Sequence, residues 1–334
     1  MEYKCVGNTG IKVSELGFGT MTFASGADYE TSKAMYRRCR EAGINLFDTA
    51  NIYGEKRDGE TEELLGEFMK GERDECVIIT KVGTPRYGLP NNDGGLSRRY
   101  IMLEVEKSLK RLKTDRIDFY MLHKMDPDTP FEETLRALDD LQRQGKILYP
   151  AISNAAAWQI ALSLGISEAK GLCSFKLVEP MYNLVKRQAE VEILPLCKDQ
   201  KLGVISYSPL GAGLLTGKYS HGNRDVKGRI TSSARYSGRY SNEENFKVAD
   251  AFTSYAEEHG FNPSSLAIKW VMTNPAVTAP LIGAKNLDQL NTALAALDIN
   301  MTSEMRDEIT ALSIEPASAT DRTEEIKNPK LIGH

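Results

Sequence analysis

Apolar residues in this chain arrive in short dense runs, separated by longer stretches of helical period. VIIT at 77–80 and IDFYML at 117–122 are nearly continuous apolar runs, the pattern of parallel strands covered on both faces. Eight such runs predict strands at 14–19, 45–50, 76–81, 117–124, 147–153, 173–180, 203–209 and 278–284. Asn8-Thr9-Gly10 predicts the turn of an N-terminal hairpin ahead of them. Between the runs, a helix is predicted from Ser97, with Ile101, Val105, Leu109 and Leu112 recurring on one face. Thr129 reads as an N-cap, Pro130 as a first-turn residue, and Glu132 and Glu133 as acids facing the positive helix end. Gly43, Gly145 and Gly203 stand where helix C-termini need a left-handed residue before the next strand. The segment 220–241 is the one long irregular stretch.

Strand and helix alternating eight times fits an open doubly wound sheet or a closed barrel. The open sheet's G-x-G-x-x-G fingerprint is absent, because both the Gly17–Thr22 and the Gly211–Thr216 stretches end in threonine. The stretch 211–218 also lacks the phosphate-loop spacing. The prediction is therefore an α/β fold: a (β/α)8 TIM barrel with an N-terminal β-hairpin. It is one domain over residues 1–334, with a C-terminal tail from about 315. A length of 334 suits that fold.

Composition removes several functions. With 42 basic and 46 acidic side chains there is no clustered basic excess for nucleic acid. No apolar run nears the ~20 residues of a membrane span, and MEYKCVGNTG lacks the apolar core of a signal peptide. A cytoplasmic location is expected. Cys5, Cys39, Cys76, Cys173 and Cys197 show no C-x-x-C and read as reduced thiols. Four histidines without paired spacing offer no metal site.

In a barrel the C-terminal strand ends form the reactive face. Those ends hold Asp48 after NLF, Lys81 after CVIIT and His123 after FYML, with Tyr53 just beyond the second strand. Singly, each has an ordinary reading: a turn cap, a snorkelling lysine, a core histidine, one of fourteen tyrosines. Together they make an acid–base site. A phenol, with a pKa near 10, gives up its proton more easily beside an ammonium. An aspartate keeps that ammonium charged, and a histidine can donate to a substrate oxygen.

These residues, in their contexts, resemble the aldo-keto reductase family, in its bacterial-type, short-loop branch. The matching stretches are Leu16–Met21, Gly43–Ala50 with Tyr53-Gly54, Thr80–Val82, Tyr207–Gly211 and Gly213–Lys218. Order and spacing hold from about Gly10 to Leu297. The resemblance implies a catalytic tetrad of Asp48, Tyr53 as general acid/base, Lys81 and His123. It implies cofactor contacts from Gly19, Thr20 and Met21, and from Ser153, Asn154 and Glu179 at the nicotinamide carboxamide. Tyr207 would stack on the ring. Ser208, Pro209, Leu210, Gly211 and Lys218 would line the pyrophosphate path, and Gly283, Lys285 and Gln289 the adenosine end. Lys285 beside a helix start at Asn286 suits a 2′-phosphate, so NADPH/NADP+ is expected over NADH/NAD+.

Three positions depart from the family. Glu179 replaces its usual glutamine; ionised, it would favour the cationic oxidised ring, whereas protonated or paired with a neighbour such as Lys176 it would not. Thr292 and Ala293 replace adenine-contacting residues. Pro150 is unusual in a central strand and suggests a bulge or shifted register. Phe23, Tyr87, Met125 and the tail beyond Ile314 are candidate substrate contacts. Arg224, Lys227, Arg229, Arg235 and Arg239 make 220–241 a candidate lid over phosphates. The substrate is a small carbonyl or alcohol: aldehydes, ketones, sugars and steroid-like alcohols remain open. Other readings are a nicotinamide-binding sensor, as in potassium-channel β-subunits, and a barrel aldolase with Lys81 as Schiff-base former.

Overall fold

Every residue of β5 (Val77–Val82) and β6 (Ile117–Leu122) is buried, so the two densest apolar runs are strands wrapped on both faces. The computed structural model describes residues 1–84, 92 and 94–320. Six further strands flank these two: β3 (Gly17–Gly19), β4 (Leu46–Asp48), β7 (Ile147–Ser153), β8 (Leu177–Glu179), β9 (Gly203–Ser206) and β10 (Ala279–Ile282). They close into one parallel barrel in chain order, with β10 pairing both β9 and β3. An antiparallel hairpin, β1 (Tyr3–Cys5) and β2 (Lys12–Ser14), precedes it. The predicted TIM barrel with an N-terminal hairpin is the fold observed.

Around the barrel run α1 (Tyr29–Glu41), α2 (Glu60–Phe68), α3 (Arg98–Leu112), α4 (Phe131–Arg143), α5 (Ala157–Lys170) and α6 (Ile193–Asp199). After β9 come α7 (Arg229–Ser232), α8 (Ala234–Tyr240), α9 (Glu243–Glu258) and α10 (Pro263–Met272). After β10 come α11 (Leu287–Leu294) and α12 (Ser303–Ala311). The segment 220–241 is thus not wholly irregular: it carries α7 and α8. Among the described residues, no helix is long and apolar enough to cross a membrane.

Local expectations meet mixed outcomes. Ser97 caps α3, accepting from the Tyr100 amide, and Gly43 and Gly145 take φ of 87° and 73°. Thr129 is not the cap of α4: Pro130 holds that position, while the Thr129 hydroxyl donates to Asp126 Oδ2 at 2.6 Å. Asp126 also accepts from the Leu96 amide, so it organises this corner and draws Thr129 away from the helix. Pro150 causes no bulge, since β6 and β7 keep one register from Ile117↔Ile147 to Leu122↔Ile152. Its carbonyl accepts from Lys176, which precedes β8, so the missing amide proton falls beside the strand's start.

Gly203 does not supply the left-handed turn; Lys201, with φ 54°, does. Gly203 opens β9, where a Cβ would lie 2.4 Å from Val6 Cγ1. Val6 and Val13 of the hairpin join Leu46, Ile79, Phe119, Met121, Leu177, Ile205 and Leu281 in one apolar cluster. The residues between these along the strands, such as Phe47, Ile78, Tyr120 and Val204, belong to the cluster under the helices. Side chains alternate between faces of a strand, so the first cluster fills the barrel and the hairpin plugs its N-terminal end.

That plug has no room for a side chain at Gly7. There φ is +54°, and a Cβ would lie 2.5 Å from the Gly203 amide nitrogen and the Lys201 carbonyl. Gly7→Ala is expected to cost about 2 kcal/mol, read as a lower Tm at an unchanged circular-dichroism spectrum. An unchanged Tm would show that the plug adapts.

Candidate active site

The strand alternation that fills the barrel continues into its mouth. On β4, Leu46 is followed two residues on by Asp48; on β5, Ile79 by Lys81; beyond β6, Met121 by His123. On β7, Ala151 precedes Ser153; on β8, Leu177 precedes Glu179; after β9, Ile205 precedes Tyr207. Six polar or aromatic side chains therefore form the next inward layer above an apolar floor. Tyr53 reaches the same place from the turn after β4.

Lys81 is fully buried. Its ammonium contacts Asp48 Oδ2, donates to the Thr49 carbonyl at 3.1 Å, and lies 3.5 Å from Glu179 Oε2. Burial opposes its charge, yet the surrounding acidic groups, Asp48 first, outweigh that and hold it charged well above the usual lysine range. Burial raises Asp48 and opposes its charge, with Lys81 pulling the other way. The Tyr53 ring lies 5.5 Å from Lys81 Nζ. It meets the His123 ring edge-on, 5.8 Å between centroids at 81°. Both rings are only partly buried, at the mouth of the barrel.

The phenol does not follow the simple expectation of a lowered pKa. Burial raises it, and the Lys81 ammonium offsets that only in part. Tyr53 thus holds its proton more tightly than a free phenol. Burial, then the positive charges of Lys81 and Arg235, push His123 down to about 3, so its imidazole is neutral. Its Nδ1 is buried with no hydrogen-bond partner among the described residues.

Across the mouth, Asn154 is held in the left-handed region at φ 54°. It donates to the His123 carbonyl at 2.9 Å and to Ser153 Oγ at 3.0 Å, and accepts from the Tyr207 hydroxyl at 2.7 Å. Ser153 Oγ donates to the Glu179 carbonyl at 2.9 Å. Each of these side chains therefore keeps an acceptor lone pair free. Glu179 is not paired with Lys176; its neighbours are Lys81 and Asp48. Burial pushes the Tyr207 phenol up to about 12.

The segment after Tyr207 turns tightly. Ser208, Gly211, Ala212 and Gly213 all have positive φ. Asn183 donates to the Ser208 carbonyl at 2.9 Å; Pro209 is buried and Leu210 partly so. Lys218 follows, and a Cβ on Gly213 would lie 3.1 Å from its Nζ. Burial lowers Lys218, and the nearby Lys285 and Arg229 lower it further. None of these three cations has a carboxylate partner among the described residues, a cluster suited to phosphate. The Lys285 side chain passes 3.5 Å from where a Gly26 Cβ would stand.

At the first strand, Thr20 Oγ1 donates to the Asp48 carbonyl at 3.0 Å, next to Gly19 and Met21. Gly283 lies beside Gly19: its Cβ would be 3.9 Å from the Gly19 carbonyl. Gln289 Oε1 accepts from the Lys285 amide at 3.0 Å at the start of α11. Phe23 is fully buried, packed against Phe18 at 5.5 Å and Phe68 at 5.8 Å. Met125 is partly buried and packs on the outer core. Tyr87 and most of the tail from 315 lie outside the described residues.

In the segment 220–241 the cations divide. Arg224 is structural, pairing with Asp250 at 2.6 Å and covering Phe246 at 4.3 Å. Arg229 and Arg239 flank the Tyr236 ring at 5.6 Å and 5.9 Å. Arg235 acts on His123, Arg239 on Tyr207 and Tyr236 on Tyr53. The sequence offered Arg235 and Arg239 only as lid charges and gave no sign of Tyr236, because α8 itself was not foreseen.

A closed parallel barrel whose mouth gathers a phenol, an imidazole and a buried ammonium–carboxylate pair defines a barrel protein equipped for proton transfer at an oxygen. The aldo/keto reductase family model matches residues 15–314. Uncharacterized oxidoreductase YrpG of Bacillus subtilis is 36% identical over 313 residues, covering 91% of this chain and 94% of that protein. A probable voltage-gated potassium channel subunit beta of Oryza sativa is 34% identical over 321 residues, covering 93% and 96%. Versiconal hemiacetal acetate reductase of Aspergillus parasiticus is 30% identical over 334 residues, covering 91% and 94%. The chain belongs to the aldo/keto reductase family, and its chemistry is the oxidoreduction of carbonyls and alcohols.

Proposed function

We propose that this protein is an NADP(H)-dependent enzyme interconverting an aldehyde, ketone or sugar carbonyl with its alcohol, with Tyr53 as the general acid/base. The observation that carries this is the edge-on Tyr53–His123 pair at 5.8 Å, standing over buried Lys81 at the mouth of the barrel. The nicotinamide supplies or accepts the hydride when bound. Neutral His123 donates a hydrogen bond to the substrate oxygen and leaves the proton on Tyr53, whose phenol gives it to that oxygen. Lys81, held charged by Asp48, stabilises the phenolate left behind. Ser153 and Asn154, each with an acceptor position free, fit a carboxamide NH2, and Tyr207 offers a ring face. Lys218, Lys285 and Arg229, cationic and without carboxylate partners among the described residues, fit phosphates.

Two other readings make different use of the same residues. A Schiff-base aldolase needs a neutral amine, whereas Asp48 holds Lys81 as an ammonium. The rice relative's name, a probable potassium channel subunit beta, keeps a regulatory role with little turnover as the second reading. Fluorescence titration with NADPH, NADP+, NADH and NAD+, followed by turnover of 4-nitrobenzaldehyde, separates them. Tight binding of a phosphorylated form with turnover is expected; binding without turnover supports the sensor, and no binding ends both. Lys285→Met is expected to weaken NADPH about tenfold and leave NADH nearly unmoved. An equal loss for both would remove Lys285 from the 2′-phosphate.

A further inference from the structure

Glu179 makes a buried charge problem that its position forces. It closes β8, in register with Ser153 on β7, and is buried with Asp48 and Lys81. Two carboxyl groups thus share one ammonium: Asp48 in direct contact, and Glu179 Oε2 at 3.5 Å from Nζ. That Oε2 has no hydrogen-bond partner among the described residues. With both carboxylates ionised, the cluster would carry a net negative charge away from water, which is costly.

The groups facing Glu179 come from every side of the mouth. They are Asp48 from β4, Tyr53 after it, Lys81 from β5 and Tyr207 after β9. Of these only Lys81 is positive. Burial and then the Asp48 carboxylate hold the Glu179 carboxyl well above the usual range, and Lys81 does not overcome them. The cluster of Asp48, Lys81 and protonated Glu179 is neutral.

We propose that Glu179 is a proton-holding residue of the cofactor site, and that its proton leaves to solvent when the cationic, oxidised nicotinamide binds beside it. This rests on the reading of the mouth as a nicotinamide site. A ring on Tyr207 with its amide at Ser153 and Asn154 adjoins Glu179, because β8 lies between β7 and β9. The oxidised ring carries one positive charge and the reduced ring none. A new positive neighbour lowers a carboxyl's hold on its proton. Only the Glu179 O–H bond breaks; no electrons move, and the proton passes to buffer. The reduced cofactor, which brings no positive ring charge, binds to the protonated form. The glutamine usual in the family has no such proton, so the linkage belongs to this chain.

The test measures the dissociation constants of NADP+ and NADPH across pH 5.5 to 8.5 in wild type and Glu179→Gln. Both ligands carry the same 2′-phosphate, so their difference isolates the ring. Where Glu179 starts protonated, NADP+ should bind up to about tenfold more tightly per pH unit than NADPH does. In Glu179→Gln that difference should be flat. Titration calorimetry of wild type in buffers of unlike ionisation heat reads the released proton directly and does not depend on the variant's folding. It should give up to one proton more for NADP+ than for NADPH, any exchange by the shared 2′-phosphate being common to both. Parallel pH dependence for the two cofactors in wild type overturns the proposal and leaves the reductase reading standing. A steep difference that persists in Glu179→Gln assigns the proton to another group and also overturns it. Failure of both cofactors to bind overturns it together with that reading.

Discussion

Tyr53→Phe is expected to lower kcat for a generic aldehyde by about 10²–10⁴-fold, the usual worth of a positioned acid. Cofactor affinity should stay within about twofold, because the lost hydroxyl belongs to the proton transfer and the ring that packs on His123 remains. The pH profile sharpens the test. Burial holds the phenol above its ordinary range, so in wild type reduction should show no loss from phenol ionisation up to pH 9. Rate and affinity falling together in Tyr53→Phe would mean that the residue shapes the site and moves no proton. Measured beside the cofactor titrations, this variant separates a lost reaction from a lost pocket.

Lys81→Met should be the most damaging single change to stability. It leaves Asp48 and Glu179 buried without a cation, and breaking a buried pair costs about 3–5 kcal/mol. The cost depends on pH in a stated direction. Both carboxyls have folded-state pKa values above their unfolded ones. Losing the ammonium raises them further. In the variant, stability from these groups is therefore greatest below about pH 3, where both are protonated in either state, and falls as pH rises from the unfolded values through the folded ones. Thermal unfolding at pH 5 and pH 8 should show a small gap from wild type at the lower pH and a large one at the higher. A gap equal at both would mean that the cavity left by the lysine stem, and not the stranded charge, sets the loss. Activity should fall as well, since the phenolate of Tyr53 loses its stabilising charge.

Much of this was legible in the chain. Seven of the eight barrel strands lie inside the runs predicted for them, and β5 passes its run by one residue at Val82, because strands covered on both faces must be apolar almost throughout. Asp48, Lys81 and His123 stood out because each interrupts such a run. What was not legible depended on distant partners. Nothing near Gly203 says that Val6 will arrive on it. Phe23 looked like a loop residue at a strand end until Phe18 and Phe68 enclosed it. Thr129 fits a capping rule, but Asp126 competes for its hydroxyl. Glu179 was recognisable as a departure, yet its true neighbours sit on strands more than ninety residues earlier in the sequence. The short helix α8, which brings Arg235 and Tyr236 towards the mouth, has no strong period and lies in a polar stretch.

The hairpin floor has a further consequence, for the order in which the chain can be assembled. Val6 and Gly7 close against Lys201 and Gly203, and Leu281 on β10 shares their cluster. During synthesis the N-terminus emerges first, while its partners on β9 and β10 emerge only near the end. The hairpin can meet Leu46, Ile79 and Phe119 earlier, but its cover is complete only once β9 and β10 are made. Its two three-residue strands are too little to be stable alone. The floor of the barrel is thus laid last, from the segment made first.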